Sequence, residues 1–175
     1  FQKRGIHIDY IAHIRTNKDG STTVQTVAQH SRQTAEYARR CLEPAGLGQA
    51  AYLAGIMHDV GKCKAEFIEY ITEGKGHRGS VNHTFAGCRM LLERFHGAGR
   101  TGGEYDDFAA ELLAYAVGAH HGLFDCVDPR QVSGFLHRLE KEGIGYEESR
   151  DGFLTHCAGW EEIDRLFAEA SAEIG

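Results

Sequence analysis

The sequence predicts an all-α protein made of a single domain. Only two prolines occur in 175 residues, so long helices are not interrupted. Alanine and leucine recur at helical spacing along much of the chain, and glycine-containing segments separate the periodic stretches. A chain of this length most simply forms one domain with a real core, which we expect to span residues 1–175.

The first predicted helix has one apolar face with steps of three or four residues. Residues 21–23, a serine and two threonines, offer a cap, and Pro44 and Gly46 end the helix. A second helix is predicted from about residue 48 to residue 60, with Gly61 in the left-handed terminating conformation. The residues of the first apolar face are Val24, Val27, Ala28, Ser31, Ala35, Ala38 and Leu42.

The remaining chain contains five more predicted helices and a basic, glycine-rich loop. Asn82 is a candidate cap for the fourth helix, and Asp128 with Pro129 resembles the cap and first turn of the sixth. Residues 143–152 are predicted to form a loop. The five helices are expected at about residues 65–74, 84–95, 104–118, 130–142 and 160–174.

Composition excludes several classes of protein. The net charge of −6 argues against a free-standing DNA binder without sequence preference. No apolar run approaches the roughly 20 residues that a membrane helix needs, and the first 15 residues are too polar for a signal peptide. The five cysteines are odd in number and form no CxxC pair, which predicts reduced thiols in a cytoplasmic protein.

Histidine is unusually frequent, with 11 residues, and five of these lie near predicted helix ends. Helix ends can converge metal ligands without interrupting a packed core. We therefore predict a metal site built from His30, His58, His83, His120 and His121, with Asp59 as the only carboxylate among them. The other six, His7, His13, His77, His96, His137 and His156, are expected at the surface or in loops rather than as ligands.

The ligand types indicate the chemistry of this site. Neutral imidazole suits manganese, cobalt, nickel, iron or zinc, whereas magnesium and calcium prefer oxygen donors. The two oxygens of Asp59 can bridge two ions roughly 3.5–4 Å apart, as in two-metal phosphoesterases. Lys62 follows one turn later, and its ammonium suits a phosphate or a leaving oxygen. The alternative for Lys62 is an exposed side chain after a helix end.

Four stretches resemble the HD superfamily of metal-dependent phosphohydrolases. They are "AQHSRQTAEYA", "YLAGIMHDVGKCKAEF", "GHRGSVNHTFAG" and "VGAHHG". Their order and spacing are similar to the HD nuclease domain of the CRISPR-associated helicase-nuclease of type I systems, and "KGHRGSVNHTFAG" resembles the type I-C branch. The resemblance covers roughly residues 10–125.

This resemblance implies a helical domain that binds one or two divalent transition-metal ions and cuts single-stranded DNA. It places His30, His58 and Asp59 on one ion, and Asp59, His83, His120 and His121 on the other, with Lys62 beside the phosphate. It also implies a superfamily 2 helicase, in the same longer chain or in a separate one, and a CRISPR surveillance complex as partners. A further aspartate is implied downstream, and none of Asp125, Asp128, Asp151 and Asp164 matches its pattern.

The basic loop before His83 is a candidate substrate contact. Lys75 and Arg78, with His77, can touch DNA phosphates at the rim of the site, or the loop can simply be solvated. Two other functions stay open. The chain can be an HD phosphohydrolase acting on nucleotides or cyclic dinucleotides, or a catalytically idle docking module for a surveillance complex.

Overall fold

The computed structural model describes residues 9–74, 81, 83–97, 102–121, 134–140 and 145–175. Within these residues the protein is all-α, as predicted, apart from one small hairpin at the start. The hairpin strands are β1 (Ile11–Thr16) and β2 (Thr22–Thr26). The helices are α1 (Val27–Leu42), α2 (Gly48–Met57), α3 (Ala65–Glu73), α4 (Phe85–Phe95), α5 (Asp106–Gly118), α6 (Gly134–Leu139), α7 (Tyr146–His156) and α8 (Trp160–Ile174).

The hairpin was not predicted from the sequence. Its strands pair antiparallel, and the register shifts between Ile11 and His13. The β-branched run from Thr22 to Val24 favours a strand, and an Asp-Gly turn ending at Gly20, with φ of 82°, lies between the strands. The prediction that Val24 belongs to the first helix was therefore wrong.

Helix α1 begins three residues later than predicted, at a capping box. The Thr26 side chain accepts a hydrogen bond from the backbone N–H of Gln29, and the Gln29 side chain accepts one from the backbone N–H of Thr26. These reciprocal bonds satisfy two backbone donors at the helix start. Since residues 21–23 offered three equally plausible caps, the sequence alone did not single out Thr26.

The later helices follow the prediction with one clear exception. Helix α3 ends at Gly74, which is left-handed with φ of 66°, and α8 matches the predicted final helix. Residues 145–152 were predicted to lie in a loop, but from residue 146 onward they form most of α7. The segment was predicted to be a loop because it contains several glycines, which disfavour helices. Asn82, Asp128 and Pro129, the proposed caps, lie outside the described residues.

The core lies where α1, α2, α4, α5 and α8 pack together. Its large side chains include Phe85, Phe153 and Ile163, each at most 1% exposed. Phe95 stacks on Phe167 with ring centroids 3.8 Å apart, which joins α4 to α8. This packing fixes the helix axes and therefore fixes where the helix ends lie.

Helices α2 and α4 approach each other closely at the end of α2. A Cβ atom added to Gly87 would lie 2.0 Å from the backbone oxygen of Met57, so only glycine permits this contact. The close approach brings the start of α4 beside the residue that follows Met57. That residue is His58.

The described cysteines Cys41, Cys63, Cys88 and Cys157 carry free thiols, as predicted. In the part of the chain that the structure describes, no helix combines the length and the apolar character needed to cross a bilayer.

Candidate metal centre

Four helix ends meet on one side of the protein, and each brings at least one imidazole. His30 lies in the first turn of α1, and His58 follows the last residue of α2. His83 precedes α4, while His120 and His121 follow α5. Neighbouring imidazole rings have centroids 4.1–5.2 Å apart. The pairs are His30–His58, His58–His120, His120–His121 and His83–His121. The predicted convergence of the five histidines is observed.

Three donor atoms form a triangle at the floor of this cluster. The Nε2 atoms of His30 and His58 are 3.1 Å apart, and each is 3.1 Å from Oδ2 of Asp59. Donors that share one ion at about 2.1 Å lie roughly 3.0–3.4 Å from each other. The triangle therefore fits one transition-metal ion, and the donor set of two imidazoles and a carboxylate matches the chemistry of such ions.

A second donor group lies beside the first. The ligand atoms of His83, His120 and His121 lie within 4.8 Å of one another, and the Nε2 atoms of His83 and His121 are 2.9 Å apart. This group contains only nitrogen donors. A carboxylate oxygen in reach would complete a mixed site for a second ion.

Asp59 lies between the two groups. Its Oδ2 faces His30 and His58, and its Oδ1 is 3.9 Å from Nε2 of His120. The side chain is buried, which alone would raise the pKa, but hydrogen bonds from His30 and His58 and the charge of Lys62 hold the pKa of Asp59 well below its usual range. Asp59 is therefore ionised and offers one oxygen to each group.

Backbone carbonyls fix the orientation of three of these imidazoles. The Nδ1 atoms lie 2.7 Å from the Gly55 oxygen for His58, 3.0 Å from the Val81 oxygen for His83 and 2.6 Å from the Val117 oxygen for His120. A proton on Nδ1 makes each bond and turns the other nitrogen, Nε2, toward the cluster. Metal-ligating histidines in proteins are held in this way.

The Nε2 atom of His120 gives an independent indication of a cation site. It is buried and has no hydrogen-bond partner among the described residues. Because Nδ1 carries the proton, Nε2 presents a lone pair toward Asp59 across 3.9 Å. Two acceptors facing each other in a buried place are stabilised by a cation between them.

Lys62 lies on the short 3₁₀ helix Val60–Lys62, next to the triangle. Its Nζ is 2.8 Å from Oδ2 of Asp59 and 5.4 Å from the centre of the Phe67 ring. The residue is only 7% exposed, so the alternative of an exposed lysine was wrong. The ammonium is held at the floor of the cluster, where it faces the same carboxylate as the two histidines.

Gly61 has a different role from the predicted one. It lies within the 3₁₀ helix and is absent from the residues with positive φ, so it does not end α2 in a left-handed conformation. A Cβ atom on Gly61 would lie 2.2 Å from the backbone oxygen of His83 and 2.5 Å from its Cα. Glycine is needed here because the backbone of the His58–Lys62 segment touches the backbone that carries His83.

His13 joins the cluster although the sequence analysis placed it among the surface histidines. It is exposed on β1, yet its ligand atom lies within 4.8 Å of those of His30 and Asp59. No signal within the helical pattern points to it, because it comes from the hairpin that the sequence analysis missed. Strand β1 offers no clear signal either, because its buried and exposed residues do not alternate regularly.

None of the predicted substrate contacts or of the candidates for a further aspartate ligand is among the described residues of the cluster. Lys75 and Arg78 lie outside the described residues, as do Asp125 and Asp128. Of the aspartates considered for a further ligand, Asp151 accepts from Arg150 at 2.8 Å and Asp164 pairs with Arg94 at 2.7 Å. Within the described chain, neither belongs to the two ligand groups.

The buried imidazoles predict a loss of stability in mild acid. Burial lowers the pKa of His120 to about 4 and lowers the pKa of His83 as well. Unfolded histidines titrate near pH 6.5, so between that pH and about 4 the unfolded chain binds more protons than the folded one. We expect the urea midpoint of chelator-treated protein to fall as the pH decreases through this window. His120→Gln should flatten the profile, and His96→Gln, at a half-buried histidine that pairs with Glu111 outside the cluster, should not. An unchanged slope in His120→Gln would contradict the prediction.

These features define an α-helical protein with a histidine–aspartate centre suited to transition-metal ions. The model of the HD domain family matches residues 27–143, and the chain belongs to this family. HD domains are typically metal-dependent phosphohydrolases, which identifies the protein as a metal-binding hydrolase. A comparison with curated proteins finds no match.

Proposed function

We propose that this protein is a metal-dependent nuclease that cuts single-stranded DNA during CRISPR interference. The observation that carries the proposal is the placement of Asp59 between two groups of imidazoles, with one oxygen toward each. Two ions a few ångströms apart suit the hydrolysis of a phosphodiester. The four sequence stretches similar to type I HD nucleases supply the choice of DNA as the substrate.

The donor residues prepare the site for divalent ions. When bound, such ions acidify water and neutralise charge on phosphoryl oxygens. His120 keeps Nε2 free of a proton because Nδ1 donates to a backbone carbonyl, and the same kind of bond from Nδ1 of His58 turns its Nε2 toward the cluster. Asp59 is ionised and buried at the floor, so its charge acts in an environment that screens it weakly.

Lys62 is the proposed catalytic partner of this centre. Hydrolysis forms a bond from the water oxygen to phosphorus and breaks the bond from phosphorus to the leaving oxygen, which then takes up a proton. The ammonium of Lys62 is a fixed donor beside Asp59, 2.8 Å away. We assign it to the phosphate or the leaving oxygen, where positive charge stabilises the developing negative charge.

The burial of the donor residues supports a strand as the substrate. The floor residues His58, Asp59 and Lys62 are buried, whereas His121 at the rim is exposed. Two sizeable cavities among the described residues, of about 850 and 770 Å³, are lined by none of the ligand residues. A flexible single strand can reach a centre with an exposed histidine at its edge, and Lys75 and Arg78 are the proposed phosphate contacts.

The charge of the protein suits a nuclease that receives its strand from partners. A net charge of −6 disfavours an independent search along DNA. We propose that a superfamily 2 helicase and a CRISPR surveillance complex deliver the single strand. The ions would then be manganese, nickel, cobalt, iron or zinc, as the nitrogen-rich donor set favours.

A substrate comparison tests this function. The chain, loaded with Mn²⁺, Co²⁺ or Ni²⁺ in turn, is incubated with labelled single-stranded DNA, the same sequence as duplex, nucleoside triphosphates and cyclic dinucleotides. We expect cleavage of the single strand that a chelator abolishes. Turnover of the nucleotides with DNA left intact would overturn the nuclease proposal and favour a nucleotide phosphohydrolase. Bound ions with no turnover of any substrate would favour a docking module.

A further inference from the structure

The hairpin places a further histidine at the first ion position. His13 and His30 have ring centroids 4.5 Å apart with an interplanar angle of 79°, and the ligand atoms of His13, His30 and Asp59 lie within 4.8 Å of one another. Among the described residues, the ring nitrogens of His13 have no hydrogen-bond partner. The side chain thus offers a lone pair to the cluster that the helices form.

The backbone of the hairpin accounts for this placement. Strand β1 is tied to the start of α1, because the backbone N–H of Val27 donates to the Tyr10 oxygen at 2.7 Å. The strand register shifts between Ile11 and His13. Such bulges bend a strand and redirect a side chain, and they are frequent beside functional sites. Here the shift lies immediately before the histidine that faces the cluster.

We propose that His13 is a further ligand of the ion held by His30, His58 and Asp59. This inference rests on the metal centre of the proposed function but is independent of the DNA substrate. The set then contains three imidazoles and one carboxylate, which suits a transition-metal ion better than magnesium or calcium. His13 lies outside residues 27–143, the segment that matches the HD family, so the hairpin completes the site from outside that segment.

The consequence is a link between the hairpin and the helical domain. His30 comes from α1, His58 and Asp59 follow α2, and His13 comes from β1. One ion therefore joins three elements, and ion binding should order the hairpin against α1. A ring that only packs on His30 would leave ion affinity unchanged when it is removed, whereas a ligand would not.

Ion titration tests the assignment without reference to activity. The 175-residue chain, His13→Ala and His13→Asp are titrated with Mn²⁺ by calorimetry, and with Co²⁺ by absorption spectroscopy, which reports a change of ligands. We expect His13→Ala to weaken one binding step at least about 10-fold, since even the loss of an outer partner costs 10–100-fold, and to leave the other step unchanged. His13→Asp, which retains a donor, should recover most of that loss.

The control is His96→Ala, because His96 is a histidine at the far end of α4, roughly 17 Å along the helix from its start, where it pairs with Glu111. It should bind ions as the wild type does. If His30→Ala loses one binding step while His13→Ala keeps both, the His13 assignment fails and the metal centre stands. If the wild type binds no ion, the proposed function and this inference both fail. Circular dichroism confirms that each variant is folded.

Discussion

Asp59→Asn should reduce metal-activated cleavage of single-stranded DNA by at least about a thousandfold. Asparagine keeps the size of the side chain but loses the negative charge that faces both donor groups. A loss of about 4 kcal/mol in transition-state stabilisation corresponds to this factor, and an ion that polarises a phosphoryl oxygen supplies several kcal/mol, which would be lost with its ligand. The measurement is a single-turnover rate at saturating Mn²⁺, together with the number of ions bound.

The matched control for this variant is Asp151→Asn. Asp151 is exposed and pairs only with its neighbour Arg150 among the interactions described, so the change removes the same charge away from the cluster. It should leave the rate within about twofold, as expected of a surface substitution. Full Mn²⁺-dependent activity in Asp59→Asn would refute the assignment of Asp59 as the shared ligand.

Ion binding should raise the melting temperature substantially. A ligand at 100 times its dissociation constant stabilises the folded state by about 2.7 kcal/mol per site. For a domain of this length each kcal/mol is worth about 2–4 °C, so each ion should add about 5–11 °C. Differential scanning calorimetry of chelator-treated protein, with and without added Mn²⁺, measures the shift.

Two comparisons separate specific binding from a general salt effect. Mg²⁺ at the same concentration should give a smaller shift, since it prefers oxygen donors. The double variant His83→Ala/His121→Ala should keep part of the shift, because the triangle of His30, His58 and Asp59 is intact. No shift with any transition-metal ion would contradict the presence of a metal centre.

The helical elements that carry the site could be predicted because their apolar periodicity is strong. The helix before His58 and the helix before His120 are marked by runs of alanine and leucine, and the histidines stand directly after those runs. The sequence therefore predicted that the imidazoles would lie at helix ends. It also predicted Asp59 as the shared carboxylate, which the geometry supports through oxygens directed to either side.

The parts that could not be predicted depend on contacts between distant segments. His13 reaches the cluster only because a hairpin packs on α1, and a six-residue strand gives a weak local signal. The burial of Lys62 could not be predicted either, because nothing local shows that Phe67 and Asp59 enclose it. Gly61 appeared to be a helix terminator, whereas its role is set by the backbone of His83, 22 residues away.

The carbonyl groups that orient His58 and His120 belong to the last turns of α2 and α5, where no further residue of the helix can bond them. The direction in which each ring points therefore depends on the residue at which its helix ends. Inserting a single residue into either final turn would rotate the following ring by about 100° and separate it from its neighbours. We therefore expect the protein to tolerate inserted residues least in the last turns of α2 and α5. Insertions at the ends of helices are usually harmless, so this sensitivity would be distinctive.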